Sequence, residues 1–115
     1  STPMPRFLDA MAARLKAEKA EGKEYTINLV FTDLKESYVL HLKNSVLHHR
    51  AGLDPKADAT LKLTHAIYLK MVTGKAGIND TLLSDDLKVE GSRLDLVRFF
   101  TLFEQPNGSF NIVTP

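Results

Sequence analysis

"YVLHLKNSVLHHR", residues 38–50, reads as two strands joined by a two-residue turn, and everything else in the chain is placed around it. Asn44-Ser45 suits a tight hairpin because Asn accepts positive φ cheaply. That turn fixes the register: Lys43 opposite Val46, Leu42 opposite Leu47, His41 opposite His48, and Leu40 opposite His49. Tyr38, Leu40, Leu42 and Leu47 then share one face, the core face. His41 and His48 face each other on the outer side, with Lys43 and Arg50 as charged neighbours, and His49 points inward.

The flanking segments keep the same period. In "YTINLVFT", 25–32, Tyr25, Ile27, Leu29 and Phe31 alternate with Thr26, Asn28, Val30 and Thr32, as in a half-buried strand. "ADATLKL", 57–63, is a strand with Ala59, Leu61 and Leu63 inward, and "LKVEG", 87–91, a short one with Leu87 and Val89 inward. Elsewhere the period is helical. Phe7, Leu8, Met11 and Leu15 make one stripe of a helix over 3–20, with Thr2 as its N-cap, Pro3 in its first position and Gly22 as its stop. Arg14, Lys16, Glu18, Lys19 and Glu21 fall on its solvated face.

Thr64 caps a second helix to about residue 73, with Ile67, Tyr68, Met71 and Val72 on its apolar side and Gly74 after it. A short helical piece follows near 78–84. Ser92 and Asp95 form an S-x-x-D capping box that opens a helix over "RLDLVRFFTLFEQP", 93–106, ended by Pro106 and Gly108; "SFNIVTP" is an extended tail. Strands grouped and then covered by helices give an α+β class: a five-stranded, mostly antiparallel sheet with helices packed on one face.

The chain of 115 residues fits one domain, 1–115. Fifteen Lys and Arg nearly cancel fourteen Asp and Glu, so no nucleic-acid footprint is expected. Without cysteine there is no disulfide, thiol nucleophile or thiolate zinc site. No apolar run approaches the ~18 residues of a membrane span, and the first residues lack an export-signal profile. A soluble chain is expected, in a bacterial cytoplasm or periplasm or secreted, with the compartment left open.

The last helix is apolar nearly all round. Leu96, Val97, Phe99, Phe100 and Phe103 sweep roughly 160°, while Leu94 and Leu102 lie outside that arc. Leaving such side chains in water would forgo roughly 1.5–3 kcal/mol each. They meet either an ordinary core or an apolar pocket between helices and sheet, for which Met71 is a suitably adaptable wall. Periodicity does not separate the two.

The stretches 31–64 and 87–115 resemble the sterol carrier protein type 2-like domain, above all the version at the C-terminus of bacterial metallo-β-lactamase-type alkyl sulfatases. The features that carry this are the hairpin "YVLHLKNSVLHHR", the "ADATLKLT" strand-to-helix step, "VEG" before the last helix and the "FNIVTP" ending, in matching order. The resemblance implies an apolar tunnel for alkyl-chain, fatty-acid- or sterol-like ligands, and a part in gathering aliphatic substrates for a metallo-β-lactamase-like catalytic domain. The lining residues it implies are Phe31, Leu40, Met71, Leu82, Leu83, Phe99, Phe100 and Phe103. The alternative is a protein–protein or dimerisation module without a cavity, and the oligomeric state is left open.

Catalytic chemistry is not expected. The H-x-H-x-D-H motif of the sulfatases' catalytic part is absent from the chain. His48 and His49 are adjacent, so on a strand they point to opposite faces, and the pair His41 and His48 falls short of the three or four ligands of a zinc site. Asp85, Asp86 and Glu90 sit near a turn and before a capped helix, where acids are ordinary. "TGKAG" is not a full phosphate loop, and the sequons at Asn79 and Asn107 are of a kind that arises by chance. The C-terminus lacks the peroxisomal address of eukaryotic carriers. Neither catalytic residue, metal nor cofactor is expected.

Overall fold

The computed structural model describes residues 3–82, 84–85 and 87–104. Its elements are α1 (Met4–Ala12), α2 (Ala17–Ala20), β1 (Tyr25–Phe31), β2 (Glu36–Lys43), β3 (Val46–Ala51), β4 (Ala59–Leu63), α3 (His65–Val72), α4 (Ile78–Leu82), β5 (Lys88–Gly91) and α5 (Arg93–Phe100). The hairpin forms in the register read from its turn, Leu42 facing Leu47 and His41 facing His48. Asn44 and Ser45 take φ of 53° and 59°, the paired positive values of a type I′ turn.

The five strands lie in the order β3-β2-β1-β4-β5. Every pair is antiparallel except β1 with β4, which run parallel, so the sheet is mixed. Parallel neighbours need a crossover. Residues 52–58 supply it across the polar face, and Asn28 holds them there: its side-chain amide donates to the Asp54 carbonyl and accepts from the Asp54 N–H, each at 2.9 Å. Asn28 is therefore buried, against the expectation of an open polar face at that position.

The opposite face carries the core. Ile27, Leu29, Phe31, Leu40, Leu42, Leu61 and Leu63 are buried against Leu8 and Met11 of α1, Tyr68 and Met71 of α3, and Leu96, Phe99 and Phe100 of α5. Thr64 caps α3 through its hydroxyl, which accepts from Ile67 N–H at 3.3 Å. Ser92 caps α5, accepting from Asp95 N–H at 3.0 Å. The reciprocal half of that capping box is replaced, because Ser92 N–H donates to Asp58 O at 3.0 Å.

Both long helices are shorter than their periodicity predicts, for one shared reason. The helix expected over 3–20 breaks after Ala12 and resumes at Ala17, and the helix expected through 106 ends at Phe100 with Thr101 as its C-cap. The released residues pair with each other. Leu15 forms an antiparallel bridge with Phe103, flanked by Lys16 N–H to Leu102 O and Glu104 N–H to Arg14 O, both at 2.8 Å. Leu102 and Phe103 are 5% and 7% exposed because they leave the helix for this bridge, while Leu94, which stays on the helix, is 56% exposed. Pro3 is the N-cap of α1 and stands just outside it. Thr2, Leu83, Asp86, Pro106, Gly108, the sequon at Asn107 and the "FNIVTP" ending lie outside the described residues.

A candidate apolar groove between the helices

Shortening the two helices shapes an opening. A groove of about 270 Å³ runs between α1, α3 and the segment after α5, lined by Phe7, Ala10, Met11, Arg14, Tyr68, Leu69, Met71, Val72, Thr73, Phe100, Phe103 and Glu104. Each helix contributes the stripe its spacing dictates: Phe7 and Met11 four apart on α1, Tyr68, Met71 and Val72 on α3. Phe103 reaches the groove through the bridge to Leu15, its ring packed on Phe99 at 5.1 Å.

The floor is largely apolar and its one hydroxyl on a buried tyrosine is spoken for. Tyr68 Oη donates to Met11 Sδ at 3.3 Å, a weak acceptor. Burial pushes the Tyr68 phenol well above the ordinary tyrosine value, and the Arg14 guanidinium pulls the other way. A phenol neutral at neutral pH adds no charge to the groove floor.

Of the residues expected to line a ligand space, Met71, Phe100 and Phe103 stand on this groove. Phe31, Leu40, Leu82 and Phe99 are buried in the core cluster beneath it. Phe31 and Phe99 form the layer directly under the wall, with the Phe31 ring 5.4 Å from Tyr68 and the Phe99 ring 5.1 Å from Phe100. Leu83 lies outside the described residues. Sequence reasoning missed the contribution of α1, whose Phe7 and Met11 read as plain core stripe and whose Arg14 read as solvated. Arg14, seven positions after Phe7 and three after Met11, falls on the same stripe, and that spacing is the signal that could have placed it there.

The polar face of the sheet is different in kind. His41 Nε2 meets Glu24 Oε2 at 3.0 Å, which together with nearby Lys43 holds the Glu24 carboxyl below its usual range. His48 is exposed. His49 lies on the helix-covered face with its side chain 19% exposed, and Nε2 meets Asp9 Oδ1 of α1 at 2.6 Å. Arg50 lies 3.8 Å from Asp54. Glu90 pairs with Lys62 at 2.8 Å, which pulls its carboxyl down. Among the described residues no three or more His, Cys, Asp or Glu side chains converge on a point a metal ion could occupy. No helix among them is long and apolar enough to cross a membrane.

An α+β mixed sheet with helices over one face is the fold of sterol carrier protein 2-like domains. The apo form of sterol carrier protein 2 from Yarrowia lipolytica superposes with a TM-score of 0.61 at 25% identity, covering 84% of this chain and 85% of that one. The model of the family described as alkyl sulfatase C-terminal matches residues 1–115, and the chain belongs to that family. An (R)-specific secondary-alkylsulfatase of a Pseudomonas species is 39% identical over 110 residues, covering 95% of this chain and 17% of that protein. The structure of the stereoselective inverting sec-alkylsulfatase Pisa1 from Pseudomonas superposes with a TM-score of 0.84 at 35% identity, over 90% of this chain and 17% of that one. The chain thus spans 17% of the length of these two alkylsulfatases.

Proposed function

We propose that residues 1–115 form a single, non-catalytic domain that binds the alkyl chain of a surfactant or lipid-like molecule. It would serve as the C-terminal domain of an alkyl sulfatase, gathering aliphatic substrates for a metallo-β-lactamase-like catalytic domain, or as a free-standing relative. The observation that carries this reading is the groove of about 270 Å³ walled by Phe7, Met11, Met71, Val72, Phe100 and Phe103. Its volume approaches the lower end, about 300 Å³, of small-molecule sites. Family membership and the likeness to a sterol carrier protein support it.

The mechanism is desolvation. Each methylene leaving water contributes roughly 0.8 kcal/mol, offset in part by ordering the chain. Apolar walls discriminate single methylenes weakly, so chain-length specificity is loose. Met71, Phe100 and Phe103 are the proposed contacts; Phe31, Leu40, Leu82, Leu83 and Phe99 join them only if the helices part from the sheet and lengthen the groove into a tunnel.

Uptake of a fluorescent fatty acid by the 115-residue chain tests the proposal against Ala10→Trp, which plants an indole in the groove from an exposed helix position. Saturable uptake by the parent and its loss in the variant are expected. No saturable uptake, or uptake indifferent to the indole, overturns the site. Turnover of dodecyl sulfate by the chain with added zinc, above background, overturns its non-catalytic character.

A further inference from the structure

The lining of the groove is largely apolar but includes a cation. Arg14 follows α1, is half-buried and lines the groove, with its backbone carbonyl tied to Glu104 N–H at 2.8 Å. Its positive charge opposes the burial that raises the Tyr68 phenol. No carboxylate among the described residues closes an ion pair on Arg14: Asp9 is taken by His49, Asp95 faces Arg98, and Glu104 stands exposed on the same rim. A guanidinium on an apolar groove, without a carboxylate partner among the described residues, has forked donors to offer a guest.

The geometry points to a single-chain anionic amphiphile as the guest, its sulfate or carboxylate head on Arg14 and its alkyl chain along Met11, Met71, Phe100 and Phe103. This rests on the alkyl-binding proposal above and adds the head-group contact to it. Both ends then gain. The chain leaves water, and the charged head stays at the rim, where the guanidinium meets it bidentately and solvent still reaches it. Glu104, exposed to water at the same rim, repels an anion weakly and leaves the Arg14 side as the place for the head.

Displacement of a neutral solvatochromic dye by decyl sulfate, decanoate and decanol, all below micelle formation, separates head from chain. The parent is expected to bind both anions about tenfold or more tightly than decanol, in keeping with a charge-assisted pair. Arg14→Met should bring the anions to the decanol level with decanol unchanged, and Arg14→Lys should recover part of the difference. A loss for both anions supports either head group; a loss confined to decyl sulfate supports the sulfate ester as the source. Equal binding of the three ligands by the parent, or an equal loss of all three in Arg14→Met, overturns the head-group contact and leaves alkyl binding standing. A parent that binds neither the dye nor any of the three overturns both.

Discussion

Leu15 and Phe103, 88 positions apart in sequence, meet as one antiparallel bridge between hydrogen bonds from Lys16 N–H to Leu102 O and from Glu104 N–H to Arg14 O, both 2.8 Å. The bridge ends two helices at once and sets Arg14 and Phe103 on the same groove. Lys16→Pro tests it. The φ of Lys16 is −82°, close to what proline requires, and Leu15 before it lies in the bridge, so the chief loss is the N–H that holds Leu102. A cost of about 1 kcal/mol in the urea midpoint is expected, together with weaker alkyl uptake. Undiminished stability and uptake would show that the bridge does not organise the groove.

Gly91 sits at φ +85°, paired with Ala59 at the end of β5, where an added Cβ would lie 2.6 Å from Asp58 O and 3.0 Å from Ala59 Cα. Backbone has little room to give. Gly91→Ala should cost roughly 1–3 kcal/mol by denaturant melting, which gives the glycine of "VEG" a physical reason.

Asn28 is the clamp on the crossover. Besides its two bonds to Asp54 it donates to Thr60 Oγ1 at 3.0 Å. Asn28→Leu keeps the branched skeleton of the amide but strands the Asp54 N–H and carbonyl, and a loss of about 1–3 kcal/mol is expected. Thr60→Val removes a single acceptor and should cost less, about 0.5–1.5 kcal/mol. The reverse order of the two costs would contradict this assignment.

Alkali should unfold the domain through its buried phenols. Burial, reinforced by a 2.6 Å hydrogen bond to Glu36, pushes Tyr38 up to about 12, and burial raises Tyr68 as well. A folded pKa above the unfolded one means that the unfolded chain ionises first. Stability is then intact below about pH 10, falls as pH rises through the unfolded value, and the Tyr38 contribution is gone near pH 12. Denaturant midpoints between pH 8 and 12 should show this slope, and Tyr38→Phe should flatten it. An unchanged slope in the variant would point to Tyr68 alone.

Much of the sheet was legible because its signals are local. Asn44-Ser45 fixed the hairpin register, and the period-2 runs placed Ile27, Leu29, Leu61 and Leu63 on the core face where they lie. What stayed hidden depends on contacts distant in sequence. The α1 stripe continues past Ala12 on paper, and nothing near Leu15 says that Phe103 will claim it. The parallel pairing of β1 with β4 and the burial of Asn28 follow from where the crossover runs, which periodicity does not encode. The surplus apolar residues of the final segment were real, but Leu102 and Phe103 were assigned to a helix they leave. The groove walls were sought between helix and sheet, so Phe7 and Met11 were read as core and Arg14 as solvated, although their spacing sets all three on one stripe.

Isotope-filtered NOE spectroscopy of the labelled chain with an unlabelled decyl amphiphile tests the central claim most directly. Cross-peaks from the alkyl chain to the Met11 and Met71 methyls and to the Phe7, Phe100 and Phe103 rings are predicted, saturating at one equivalent. Cross-peaks confined to the polar face near Val39 and His41, or none that saturate, would contradict it.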